Sequence, residues 1–172
     1  MIETKGHEDS IKKLGQLIED IQFAMLTTAE PDGTLRSRPM ATHQDHNQPG
    51  KEFDGVLWFF THAATGKVDE VKQDQHVNLA YSSPEKSKYV SVSGIATLVR
   101  DKVKAKELWD PKYKAWFPDG LDDPDLALLR VDVTKGEYWD TPGSAVVHVF
   151  GLVKAMATGQ KYEPGEHEKV NL

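Results

Sequence analysis

A β-barrel with peripheral helices is the fold class this sequence predicts, and three observations carry it. Two strong turn signals, Pro31-Asp32-Gly33 and Pro84-Glu85-Lys86, each sit between strand-like runs and so mark hairpins. Helix-like segments fall at the two ends, after the third strand, and in one long crossover. The regular strand–helix alternation that a doubly wound parallel sheet requires is missing. At 172 residues the chain suits one domain with a proper core. The expected division is an N-terminal helix over 1–20, a barrel over 21–140 and a C-terminal helix over 143–159.

The elements follow in order. Ile11, Leu14, Leu17, Ile18 and Ile21 recur at helical spacing, with Ser10 as the predicted N-cap of a helix ending near Asp20. FAMLTTA and TLRSRPMA form the first hairpin around Pro31-Asp32-Gly33, and the polar loop HQDHNQPGKEFDG follows. VLWFFT is a short strand, apolar enough to be buried, and a helix is predicted from about Thr65 to Asp74. HVNLAYSS and KYVSVSGIATLVR make the second hairpin, the latter alternating Val90 and Val92 with Ser91 and Ser93. Asp101 caps a helix that runs into the aromatic stretch PKYKAWFPDG. LALLRVDVTKGEYWD is a further strand or strand pair. SAVVHVFGLVKAMATG reads as a helix closed by Gly159, and the last dozen residues as loosely ordered.

Composition excludes several classes. A net charge of −6 opposes nonspecific nucleic-acid binding, which relies on basic surface, yet one local Arg/Lys cluster can still hold a small anion. Without cysteine there are no disulfides, thiolate metal sites or Cys nucleophile. No apolar run approaches the roughly 20 residues that span a bilayer, and MIETKGHEDSIKK lacks the apolar core of a signal peptide. The cytoplasm is the expected compartment.

Two short stretches stand out chemically. In WFFTHAATGK, a buried strand ends at Thr61 and His62, and Thr65, Gly66 and Lys67 open a helix. Unpaired N–H groups at a helix start favour an anion; Thr65 offers a hydroxyl, Gly66 an open backbone and Lys67 a charge. The plainer account makes Thr65 an N-cap and Lys67 a solvated surface residue. This is no Walker A loop, because its first glycine is missing and Val68 follows the lysine. In RSRPM, Arg36 and Arg38 lie two apart on a strand and share a face. Either neighbouring carboxylates or a bound anion must offset them. Pro39 removes a ladder donor there. His43 and His46 flank Asp45 in a polar loop without a further ligand at motif distance, so no metal site is expected. Trp109, Tyr113, Trp116, Phe117 and Tyr138 are assigned to core or interface, with Trp139 kept as a ligand contact.

AMLTTAEPDGTLRSRPM, LWFFTHAATGKVDEV and YVSVSGIATLVRD, in this order, resemble the FMN-binding split-barrel superfamily typified by pyridoxamine 5′-phosphate oxidase, in its general stress protein branch. The resemblance runs from about Ile21 to Asp140. It implies a six-stranded antiparallel split β-barrel that dimerises, with two FMN molecules in clefts between subunits. Carried over, Arg38 contacts the FMN, with Arg36 as a further source of charge, and Pro39 and Met40 run along the flavin ring. Thr61, with His62 beside it, meets the ring or ribityl chain, and Thr65, Gly66 and Lys67 hold the phosphate. Tyr89 stands where the oxidase has a flavin-contacting glutamine, and Trp139 resembles an aromatic reaching the flavin from the partner subunit.

Departures from the oxidase bear on activity. The substrate-phosphate lysine is replaced near His43, and the C-terminal Arg-x-His motif is absent after Trp139. Oxidation of pyridoxamine phosphate itself is therefore not expected. The resemblance implies a homodimeric FMN-binding stress protein, with FAD as the alternative flavin, acting as a flavin-dependent oxidoreductase on a small molecule. A non-catalytic flavin carrier or sensor is the competing expectation, and a deazaflavin or haem relative is the third. No nucleic-acid or membrane partner is implied.

Overall fold

The computed structural model describes residues 2–43, 52–141, 154, 156, 158–159 and 165–172. It opens with helix α1 (Ile2–Ile21), followed by strands β1 (Phe23–Ala29), β2 (Leu35–Ala41) and β3 (Val56–His62). Helix α2 (Gly66–Gln73) leads to β4 (His76–Ser83) and β5 (Lys88–Val99). A crossover of helix α3 (Lys102–Leu108) and two short 3-10 turns, Pro111–Ala115 and Gly120–Asp122, returns the chain to β6 (Leu126–Asp140) and β7 (Glu166–Asn171).

All strand pairs are antiparallel, in the order β2-β1-β4-β5-β6-β3, with β7 added to β6. The six predicted strands curl so that the two ends of this order, β2 and β3, approach one another. A lone bridge between His43 and Trp58 joins them, with the His43 amide donating to the Trp58 carbonyl at 2.9 Å. The sheet is a split barrel, and its seam is the β2–β3 junction.

Alternation builds the two sides of the wall. Leu26, Leu57, Phe59, Leu79, Val90, Val92, Leu129 and Val131 point inward and form the barrel core, each at most 4% exposed. Leu14, Leu17 and Ile18 of α1 plug it. Leu14 reaches in where Gly136 leaves room: a Cβ at that glycine would lie 2.6 Å from the Leu14 Cδ2. Residues on the other face of β3 and β6, Phe60 and Leu128, pack with Leu108 and Tyr113 of the crossover as a second cluster. Trp58, Trp109 and Phe117 flank it. At Gly94, beside a bulge in β5, an added Cβ would lie 2.5 Å from the Asp132 carbonyl oxygen, so no side chain fits.

Several expectations change. Ser10 is inside α1, not its cap; its hydroxyl donates to the Gly6 carbonyl at 2.9 Å, the back-bond that lets serine sit within a helix. LALLRVDVTKGEYWD is one continuous strand of 15 residues. The final residues are not loose: Lys135–Asp140 of β6 pairs with β7, and Val170 is 1% exposed. The predicted helix over 143–159 lies largely outside the described residues. Lys154, Met156 and Thr158 within it are helical, and Gly159 has φ +66. Asp101 caps α3 as predicted, its carboxylate accepting from the Val103 and Lys104 amides.

Candidate functional site

A cavity of about 510 Å³ opens at the barrel seam. The end of β2 supplies Pro39, Met40 and Ala41, and the end of β3 supplies Thr61 and His62. Lys67, from the first turn of α2, faces it from one side. Ile18 and Gln22, where α1 turns into β1, close another. Gln22 holds a left-handed φ of 65, and its carbonyl accepts from the Thr42 amide, which ties that turn to β2. Tyr113, Trp116 and Phe117 of the crossover form the opposite wall.

The crossover is tethered at this point. His62 Nε2 lies 3.1 Å from Asp123 Oδ2, and its ring packs against Phe117 with centroids 4.9 Å apart. The Ala63 amide donates to the Asp125 carbonyl at 2.9 Å. The aromatic wall is thereby fixed to the same strand end that carries Thr61 and His62.

The start of α2 is arranged as the sequence suggests, with one difference. Thr65 takes the N-cap backbone conformation, but its hydroxyl donates to the His62 carbonyl at 2.9 Å and does not cap the helix. Gly66 is exposed at the first helical position. Lys67 is half-buried, and among the described residues no carboxylate lies within ion-pairing distance of it. Burial and the charge of Arg38 both push its ammonium below the usual lysine range, with Glu70 pulling the other way. The helix start and Lys67 thus form a positively polarised corner of the cavity.

Arg38 lies directly behind this corner in a closed hydrogen-bonded ring. One of its terminal nitrogens donates to Glu70 Oε2 at 2.6 Å. The other donates to the Thr28 hydroxyl, which in turn donates to the same Glu70 oxygen. Glu70 is 6% exposed. Burial raises its pKa, but the hydrogen bonds from Thr28 and Arg38 and the charges of Arg38 and Arg36 outweigh that, and the carboxyl ends below its usual range. Arg36 is exposed and reaches Glu30 at 3.4 Å.

Of the predicted site residues, Pro39, Met40, Thr61, His62 and Lys67 share the cavity wall, and Thr65, Gly66 and Arg38 adjoin Lys67. Tyr89 and Trp139 do not line it. They are cross-strand neighbours on the outer sheet face, where Trp139 stacks on His167 at 5.1 Å. His43 is 7% exposed, lines the cavity, and meets Phe60 and Tyr113 edge-on. His46 lies outside the described residues. Among the described residues no three His, Asp or Glu side chains gather as a metal site.

Glu70 went unread in the sequence, and Tyr113, Trp116 and Phe117, assigned there to core or interface, line the cavity. A glutamate between Asp69 and Val71 looks like a solvated helix residue, and only the burial of Val68 and Val71 beside it signals an inward face. Trp116 and Phe117 follow the 3-10 turn Pro111–Ala115 and lie outside any helix or strand, so no periodic pattern marks them.

A half-buried ammonium without a carboxylate partner, at a helix start, fits a phosphate. The exposed backbone edge at Pro39 and Met40 beside it fits a flat ring. These residues therefore fit a flavin nucleotide.

Comparisons with known proteins agree with the fold. Protein bli-3 of Neurospora crassa is 29% identical over 163 residues, 89% of this chain and 75% of that protein. A chain from Jannaschia sp. CCS1, assigned as a general stress protein 26, superposes with a TM-score of 0.72 at 26% identity, covering 96% of this chain and 99% of its own. The general stress FMN/FAD binding protein of Xanthomonas citri gives 0.64 at 28% identity, over 77% and 89% of the two chains. The profile of the family described as "Pyridoxamine 5′-phosphate oxidase like" matches residues 9–163. The seam cavity, the strand order and this match converge: the chain belongs to the pyridoxamine 5′-phosphate oxidase-like family.

Proposed function

We propose that this chain binds FMN in the seam cavity and acts as a flavin-dependent oxidoreductase of the general stress type, with a substrate other than pyridoxamine phosphate. The observation that carries the reading is Lys67, facing the cavity at the start of α2 with no carboxylate partner among the described residues. Lys67, the open N–H groups of α2 and Thr65 would hold the phosphate. Arg38 adds charge from behind. The strand at Pro39–Met40 would support the ring, with Thr61 and His62 along its edge. A bound flavin supplies the electron transfer. The chain's residues bind it, orient it and, through the tethered aromatic wall, keep water from one side of the cavity. That a structural neighbour is named an FMN/FAD binding protein supports the same ligand class.

The working unit is proposed to be a homodimer in the cytoplasm. Phe23, Met25, Tyr89 and Trp139 are each at least 36% exposed and lie on one outer sheet face. Pro39 and Ala80, exposed beside Met25 in the register, extend that patch. Such a contiguous apolar face supports an interface between copies, and Trp139 would then be a residue offered to a partner.

The purified protein tests the reading. Oxidised-flavin absorbance, with FMN identified by mass in what denaturation releases, is expected. A colourless protein that gives no heat on titration with FMN refutes it.

A further inference from the structure

Asp123 joins the crossover to the seam cavity through a carboxylate to which the flavin reading gives no part. Both of its oxygens are engaged: Oδ1 accepts from the Asp125 amide at 2.8 Å, and Oδ2 lies 3.1 Å from His62 Nε2. The Asp123 side chain is 13% exposed, so neither bond is left to bulk water. The His62 ring is fixed as well. Phe117 packs against it with centroids 4.9 Å apart. The His62 carbonyl accepts from the hydroxyls of Thr61 and Thr65, at 3.2 and 2.9 Å. A carboxylate only accepts, so Nε2 carries the ring proton and the neutral imidazole keeps its lone pair on Nδ1. Nδ1 makes no hydrogen bond among the described residues, and the side chain lines the cavity with 38% of its surface exposed.

One ring nitrogen anchored and the other open is the arrangement of an oriented general base. Resting on the flavin reading, we propose that His62 is the proton acceptor of the seam cavity, with Asp123 as its positioning residue. The substrate class this implies carries an O–H or N–H on the carbon that is oxidised, and Tyr113 and Trp116 in the cavity wall suit a flat one. There the C–H electron pair leaves as hydride to the bound flavin and the O–H or N–H proton passes to Nδ1. The C–O or C–N bond becomes double, and the Asp123 carboxylate balances the charge the ring acquires. Asp123→Asn would undo this without changing shape. The single side-chain oxygen of that variant is claimed by the Asp125 amide, so its NH2 group faces His62. Nε2 must then accept, and the ring proton moves to Nδ1.

The probe is para-nitrophenol, a flat compound with an O–H proton to lose and no hydride to give, whose ionised form absorbs in the visible. It is added to the full-length protein as purified, in buffer where the free probe is largely un-ionised, and followed by difference absorbance. The natural chain is expected to show the nitrophenolate band on binding. His62→Gln and Asp123→Asn are each expected to weaken that band by at least about fivefold. Lys67, Lys112, Glu19 and His43 also line the cavity and are kept in both variants, so the comparison isolates the His62–Asp123 pair. Nitrogen NMR of the isotope-labelled proteins reads the tautomer, His62 being the ring signal absent from His62→Gln. Its proton is expected on Nε2 in the natural chain and on Nδ1 in Asp123→Asn. No band in the natural chain, a band that survives either substitution, or a natural-chain proton on Nδ1 overturns the proposal. Should Asp123→Asn fail to fold, His62→Gln and the natural chain's tautomer decide. FMN titration of the same sample separates the two readings. Uptake of FMN without the band overturns the proton role alone, whereas no uptake refutes the flavin reading and the proton role with it.

Discussion

Replacing Lys67 by methionine separates the charge of this side chain from its packing. The stem is half-buried in the cavity wall, and methionine keeps most of that contact. What would be lost is a charged donor to the proposed phosphate, worth about 1.5–3 kcal/mol for a hydrogen bond to a charged group. Arg38 is already engaged by Glu70 at 2.6 Å and cannot fully substitute, which places the loss in the upper half of that range. FMN affinity should fall by roughly fortyfold to a hundred-and-fiftyfold in a calorimetric titration, while riboflavin, which has no phosphate, should bind as before. Stability should move the other way. Because folding lowers the Lys67 pKa, the unfolded chain binds more protons, so the charged lysine destabilises the empty protein until pH rises through its lowered value. Lys67→Met should therefore leave the urea midpoint at pH 7 unchanged or raise it. Equal losses for FMN and riboflavin, or no loss for FMN, would refute the argument.

Three further outcomes follow from named contacts. Arg38→Ala leaves the buried Glu70 carboxylate without its cation and should destabilise the fold by about 3 kcal/mol, read from urea unfolding, besides weakening FMN binding. Gly94→Ala drives a methyl into the Asp132 carbonyl, and because backbone on both sides must move, about 2–3 kcal/mol of stability should be lost in the same assay. The third concerns acid. The folded Glu70 pKa is depressed, so its stabilisation is full above the ordinary glutamate pKa and disappears as pH falls through the lowered value. Thr28→Val removes one of the hydrogen bonds that depress it and should move the acid unfolding midpoint, followed by circular dichroism, to higher pH.

How much of this was legible in the sequence depended on whether one local signal sufficed. Pro31-Asp32-Gly33 specifies its hairpin locally, and the register Phe23 to Ala41 through Ala29 to Leu35 follows. The TGK junction was legible because strand end and helix start are both local features. The Arg38–Glu70–Thr28 ring was not, since its members come from three elements 10 to 42 residues apart. β7 was missed for a related reason. In EHEKVN only Val170 is apolar, and the strand forms because β6 offers it a ladder, which no pattern within those six residues announces. Trp139 was expected to reach the flavin of a partner subunit and Tyr89 to stand at a flavin-contacting position; within one chain they are cross-strand neighbours outside the cavity.

The length of β6 carries a practical consequence. Residues Leu126–Asp132 use one edge of this strand for β3, and Lys135–Asp140 use the same edge, past β3's end, for β7. Deleting the last seven residues would uncover six residues of ladder donors and acceptors next to exposed Trp139, a ready template for another chain. Such a truncation should precipitate on concentration even though the barrel core is untouched, and a purification tag belongs at the α1 end of the polypeptide.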